Sequence, residues 1–289
     1  MQKVFSLILV ALLVTSISGC ISRDTSTSPS VAPTDTQTPS ESTTPSGPQT
    51  STTTPTEAPS INKEELIKSL ESVKKYQFTL EYSTIPESDT KISAKGGFDF
   101  TKEEAFWEIA TKSGDFITYS NETVWDDYIY YSTLVKQDGK LIQKDSQKIR
   151  LREYFEKVIK GRTQIATPEE FKEQLFKGAD PTRNPLYYTK DLLESADSLK
   201  ATREGEYYVV TFPFAKEEEI TLNSITKIVK TQGTVKLWLE NKLPIKGEIQ
   251  LTRTVEYVGL EKVSTTKALV KFEVSYIYEK PEWVKKVIG

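Results

Sequence analysis

The sequence predicts an α+β fold in which a mostly antiparallel sheet is covered by helices. Two observations carry this. The hydrophobic spacing falls in blocks: a helix, a run of strands, a group of helices and a second run of strands, not alternating βαβ units. Aromatic residues also load the strand blocks, since all four Trp, all fourteen Tyr and eleven of the twelve Phe lie beyond residue 60. On alternating strands they give the sheet one thick apolar face, and the intervening helices are its natural cover.

The elements follow in chain order. Asn62, with Glu65 three residues on, signals a helix start ahead of the apolar stripe Leu66, Ile67, Leu70 and Val73. Tyr76, Phe78, Leu80 and Tyr82 then alternate with polar residues as a half-buried antiparallel strand. Ile92, Ala94, Phe98 and Phe100 form a second, with a bulge or bend expected at Gly96-Gly97. Trp107 with Ile109, then 116–119 and 123–135, read as further strands, and Asp138-Gly139 is a tight hairpin signal.

The middle reads as helical. Tyr154, Phe155, Val158 and Ile159 share a face that Gly161 stops, and Thr167-Pro168-Glu169-Glu170 is a strong helix start. Thr189 is a candidate cap for a short helix through Leu192, Leu193 and Ala196. Strands resume at 199–202 and 207–212 around a Glu204-Gly205 turn. The spacing of Ile225, Ile228 and Val229 predicts a helix within 217–230, and strands at 234–239, 245–257 and 267–278 close the chain.

Composition excludes much chemistry. The chain has no histidine, and its single methionine and single cysteine are Met1 and Cys20. Beyond residue 20 there can be no Ser-His-Asp or Cys-His triad, no thiolate or imidazole zinc site and no disulfide. Asp126-Asp127 and Glu217-Glu218-Glu219 are the carboxylate clusters. Neighbouring strand residues point to opposite faces, so neither makes a facing carboxyl pair, and both read as solvated charge. No Walker loop or EF-hand loop is present, and the reading is of a protein that is not an enzyme, with no cofactor and no metal. Residues 61–289 hold 36 basic and 37 acidic side chains, a balance unsuited to nucleic acid. Abundant Lys and Glu without Cys or Met suggest a heat-loving source.

The N-terminus reads as an address. Lys3 precedes an apolar run at 4–14, shorter than the ~20 residues a membrane span needs. Ile17-Ser18-Gly19-Cys20 looks like a lipobox, which makes 1–19 a signal peptide and Cys20 the lipid attachment point. An uncleaved signal anchor with an incidental cysteine is the alternative. A diacyl, palmitate-type anchor holds firmly because two chains are buried. Of the 40 residues in 21–60, 28 are Ser, Thr or Pro, so 20–60 reads as a lipidated N-terminus and stalk reaching at most ~120 Å. Asn121-Glu122-Thr123 is an N-glycosylation sequon, expected in a turn between strands.

Three segments carry a resemblance to known proteins. Ser72-Val73-Lys74-Lys75-Tyr76-Gln77-Phe78 is similar to the first helix and strand of the bacterial lipoprotein-localisation carriers (LolA/LolB) and the mycobacterial LppX/LprG-type lipoproteins. Lys95-Gly96-Gly97-Phe98-Asp99-Phe100 resembles their second strand. The run 233–240, followed by Leu243-Pro244-Ile245-Lys246, resembles their late hairpin, whereas the helical middle, 149–196, departs from the pattern. The resemblance implies a curved, unclosed half-barrel over 61–289 with an apolar cavity for acyl chains. Strand phase nominates Tyr76, Phe78, Leu80, Tyr82, Phe98, Phe100, Trp107, Ile109, Val235, Leu237, Phe272 and Val274 as its lining.

The functional expectation is an extracytoplasmic lipoprotein, tethered to the cell membrane by its N-terminal lipid and holding a lipid or other hydrophobic ligand. The alternative is a cell-surface structural or interaction lipoprotein with a filled core. Cys20→Ser is expected to block both lipidation and removal of 1–19 in the expressed protein. Its intact mass is expected to lack the lipid increment.

Overall fold

The computed structural model describes residues 61–85, 90–222, 225–260 and 262–289. The signal segment, Cys20 and the stalk lie outside these. Helix α1 (Lys63–Glu71) leads into strands β1 (Lys75–Ile85), β2 (Thr90–Asp99), β3 (Glu104–Ser113), β4 (Phe116–Trp125), β5 (Tyr128–Gln137) and β6 (Lys140–Arg150). Helix α2 (Leu151–Tyr154) runs on as a π-helical turn (Phe155–Ile159), followed by α3 (Pro168–Lys177) and α4 (Pro185–Glu194). Strands β7 (Lys200–Glu204), β8 (Tyr207–Leu222), β9 (Ile225–Glu240), β10 (Leu243–Tyr257) and β11 (Lys262–Ser275) precede the terminal helix α5 (Glu282–Ile288).

All eleven strands form one antiparallel sheet in the order β6-β5-β4-β3-β2-β1-β11-β10-β9-β8-β7. Its two ends, β6 and β7, do not pair, so the sheet stays open, as an α+β half-barrel requires. The chain closes this order through one long-range pairing, β1 with β11, in which Phe78 faces Val274 and Leu80 faces Phe272. Among the described residues no helix is long and apolar enough to cross a membrane.

One face of the sheet packs against the helices. Tyr76, Phe78, Leu80, Phe98, Trp107, Val235, Leu237, Phe272 and Val274 are buried together with Leu66, Leu70, Phe171, Leu186 and Leu192. The helix starts are those the sequence announces for α1 and α3. Asn62 accepts from the Glu65 N–H at 2.7 Å, and Thr167 accepts from Glu170 N–H at 3.1 Å with Pro168 at the first position. Such caps contribute ~1 kcal/mol each. The opposite face carries α5, where Trp283 packs on Phe106 and Tyr130 and its indole N–H donates to Glu108 at 2.6 Å.

Four expectations are corrected. The segment 217–230 is not helical but the far end of the long β8–β9 hairpin, with Glu217 paired to Lys230 and Glu218 to Val229. Ile225, Ile228 and Val229 do have helical spacing, but they sit among Thr221, Thr226 and Thr231, and β-branched residues favour the pleated pairing. Helix α4 is capped by Asn184, whose side chain accepts from Tyr187 N–H, with Pro185 at the first position. Thr189 is internal, and its buried hydroxyl donates to the Pro185 carbonyl at 2.7 Å. Asn121 lies mid-strand in β4, opposite Glu108 and Ser132, and not in a turn.

The fourth concerns Gly96-Gly97, which pair in unbroken register with β1 and β3, without a bulge. Their role is close approach. A Cβ on Gly96 would lie 2.5 Å from the Phe78 ring, and one on Gly97 2.6 Å from the Phe106 ring. The two glycines thus seat one aromatic on each face of the sheet. Gly96→Ala is expected to lower stability by ~1–3 kcal/mol through overpacking. In a double-mutant cycle read by urea denaturation, Phe78→Leu is expected to relieve part of that cost, a non-additivity that independent sites would not show.

Candidate functional site

The antiparallel order gathers hairpins at the two ends of the sheet. One end, here the upper end, holds the β8–β9 and β10–β11 connections together with the end of β1 and the starts of β2, β4 and β6. The strands do not stop level there. Ile85 of β1 pairs with Lys267, yet β10 and β11 continue to pair through 262–266, five residues further. At ~3.4 Å per residue this projects the β8–β11 sheet by ~17 Å.

Between the inner face of this projection and the helices lies a pocket of about 1120 Å³. That is slightly above the ~300–1000 Å³ usual for ligand pockets. The sheet contributes Ile220, Ile225, Val229, Leu251, Val255 and Tyr257; the helical side contributes Ile165, Phe171, Leu175, Tyr188 and Leu192. The apolar walls are crossed by charge, with seven cationic lining residues (Arg162, Lys177, Arg183, Lys216, Lys227, Arg253 and Lys262) against four anionic ones (Glu170, Asp180, Asp191 and Glu218). Lys216 is engaged by Asp191 at 2.8 Å and Glu218 at 2.7 Å. Burial and the adjacent Arg253 guanidinium hold the Lys227 ammonium below the ordinary lysine range. Lys227 and Arg253 thus stand close together on one partly desolvated wall of the pocket.

The inner end of the pocket is fixed by the loop 180–184. Asp180 Oδ1 accepts from Thr182 N–H at 2.7 Å, from the Thr182 hydroxyl at 2.8 Å and from Arg183 N–H at 3.2 Å. Burial pushes the Asp180 carboxyl above its ordinary range against the pull of Arg183 and Thr182. Arg183 reaches across the interior to Glu122 of β4, donating two hydrogen bonds of 2.8 Å, with side chains only 11% and 13% exposed. Its guanidinium lies 5.5 Å from the Trp107 ring, and its carbonyl accepts from the Trp107 indole N–H at 2.8 Å. Asn184 caps α4 through its oxygen, which also accepts from the Tyr76 hydroxyl, while its amide donates to the Phe176 carbonyl at 2.7 Å. The loop therefore ties the helices to β1, β3 and β4.

The residues nominated from strand phase share the inner face. Tyr76, Phe78, Leu80, Phe98, Trp107, Val235, Leu237, Phe272 and Val274 are packed in the core, with Phe100 and Ile109 partly buried against it. Tyr82 alone of the twelve lines the inner pocket. Leu80, Ile109 and Phe272 contribute to a shallower outer-face groove of about 610 Å³. Asn121 borders that groove, while Thr123 of its sequon is buried and donates to the Ala105 carbonyl at 2.9 Å. Asp126 and Asp127 form the exposed β4–β5 turn. Among the described residues no three His, Cys, Asp or Glu side chains gather to hold a metal ion.

Sequence reasoning missed the pocket's key residues. Lys227 becomes pocket-facing only once 217–230 is a strand, while Arg253 lies in the strand expected at 245–257 and was not nominated. The 180–185 run, Asp-Pro-Thr-Arg-Asn-Pro, did carry a signal, an Asx turn followed by an Asn-Pro helix start.

Fold and pocket together define an open antiparallel half-sheet with helices on its inner face and an amphipathic pocket at one end. No family model matches the chain, and no curated protein matches it. One solved structure, MucB in complex with MucA(peri), is similar over 74% of this chain and 92% of its own, at 7% identity and a TM-score of 0.12. A likeness that low carries no argument.

Removing one partner of the Arg183–Glu122 pair strands a buried charge. Glu122→Gln is therefore expected to cost ~3–5 kcal/mol. Glu122→Leu combined with Arg183→Met is expected to cost less than either single change, as read from urea midpoints.

Proposed function

We propose that the chain binds an elongated amphiphile, a lipid or other hydrophobic molecule with an anionic head, as a membrane-tethered extracytoplasmic protein without catalytic activity. The observation that carries this is the pocket of about 1120 Å³, whose apolar walls meet Lys227 and Arg253. An acyl chain would lie along Val229, Leu251, Val255 and Leu175, with its head at the two cations. The resemblance to lipoprotein-localisation carriers and LppX/LprG-type lipoproteins supports the same reading, and the lipobox at Cys20 supplies the tether.

Packing of Phe98, Trp107 and Leu237 into a solid core below the pocket favours a second reading, a surface interaction lipoprotein that takes no small ligand. Titration of the purified chain with a fluorescent fatty acid and with the corresponding alcohol separates the two. Saturable binding of the fatty acid, lost in Val255→Trp, is expected; absence of binding by either probe would leave only the second reading.

Lys227→Ala is expected to weaken the carboxylate probe ~10-fold or more, the scale of a charge-assisted hydrogen bond, and to leave the alcohol unchanged. Carboxylate affinity is expected to fall as pH rises through the lowered lysine range, because deprotonating Lys227 removes the attraction. Lys227→Arg is expected to hold that affinity to higher pH.

A further inference from the structure

The exposed apolar residues are not scattered. Of eleven large hydrophobic side chains left exposed among the described residues, eight sit at the upper end: Ile85, Phe116, Leu141, Ile142, Ile225, Val258, Leu260 and Val263. Five of these belong to the contiguous strands β1, β11, β10 and β9 or their connections, and four of the five, all but Ile85, lie where the sheet runs on past the end of β1. Val258, Leu260 and Val263 are 55%, 57% and 63% exposed, which is costly for apolar groups unless something covers them.

Two of the same residues, Ile225 and Leu260, also line the pocket, so the exposed strand ends are continuous with the pocket's mouth. A water-soluble ligand would not need an apolar rim, whereas a ligand already dissolved in a bilayer would. The occupant the geometry fits is therefore a lipid surface, into which strand-end side chains insert while the backbone stays paired below. The expected stalk, with a reach of ~120 Å, lets that end face the membrane holding the tether.

We propose that the upper strand ends, centred on Val258, Leu260, Val263 and Ile225, dock on a lipid bilayer so that the pocket opens directly onto it. The choice of a lipid surface as the occupant rests on the ligand reading above; the clustering of exposed strand ends does not.

Mature chain 21–289, which lacks both the lipidated cysteine and the apolar 4–14 run, is sedimented with vesicles of 3:1 phosphatidylcholine and phosphatidylglycerol. Val258→Asp/Val263→Asp changes two exposed residues outside the pocket lining. It is expected to weaken vesicle partitioning at least ~10-fold while leaving the melting transition and the soluble fatty-acid titration unchanged.

Failure of the 21–289 chain to sediment with vesicles would overturn the proposal, as would a double variant that sediments as it does. A concentration-dependent dimer in sedimentation velocity, dissolved by the double variant, would reassign the surface to a second copy and equally overturn it. Vesicle binding lost in the double variant, with no fatty-acid binding by any form, would uphold docking and overturn the ligand reading alone.

Discussion

Tyr76, Phe98 and Phe100 stack across β1 and β2 with ring centroids 5.0 and 5.4 Å apart, and Trp107 stands edge-on to Phe98 at 5.5 Å. Burying such rings contributes ~1.5–3 kcal/mol each, and a closed barrel would do so by curvature alone. This sheet ends at unpaired edges, so its aromatic face must be covered by something else. The helices between β6 and β7 are that cover. Phe176 of α3 meets Phe98, Tyr187 of α4 meets Phe100, and Tyr154 of α2 meets Tyr131. The rest of the architecture depends on how far this cover extends.

It extends over the lower part only. Helices of four to ten residues cannot span strands of fourteen to sixteen, and the rise per residue is less than half as great in a helix. The uncovered inner surface of β8–β11 becomes a pocket wall, and its strand ends become an apolar rim. The Arg183–Glu122 pair marks the boundary between the filled core and the pocket. A buried ion pair is weak evidence for net stability, and here its observed role is to join the 180–184 loop to β4.

Much of the fold was legible in the sequence because local physics decided it. The Asn62 and Thr167 caps, the Asp138-Gly139 turn and the alternation of Tyr76, Phe78, Leu80 and Tyr82 all act over a few residues. The reading of 217–230 failed where two local signals compete. Its apolar spacing suits a helix, its β-branched composition suits a strand, and pairing along the whole of β8 and β10 decides. Gly96-Gly97 failed differently, since a glycine pair in a strand signals either a bulge or a close approach, and only the positions of Phe78 and Phe106 distinguish them.

The candidate site shows the same division. By itself the sequence determined the sidedness of the nominated stretches of β1, β2, β3, β9 and β11, the α+β order of blocks, the lone cysteine at position 20 and the absence of imidazole or thiol chemistry beyond it. These follow from side-chain period and composition, which need no partner. Tertiary structure alone decided that the nominated aromatics fill a core, and that the open volume lies further along the same face between Lys227, Arg253 and the helices. Whether a face is filled or empty depends on the length and placement of what packs against it. That is a relation between elements distant in the chain, and no residue's own neighbourhood records it.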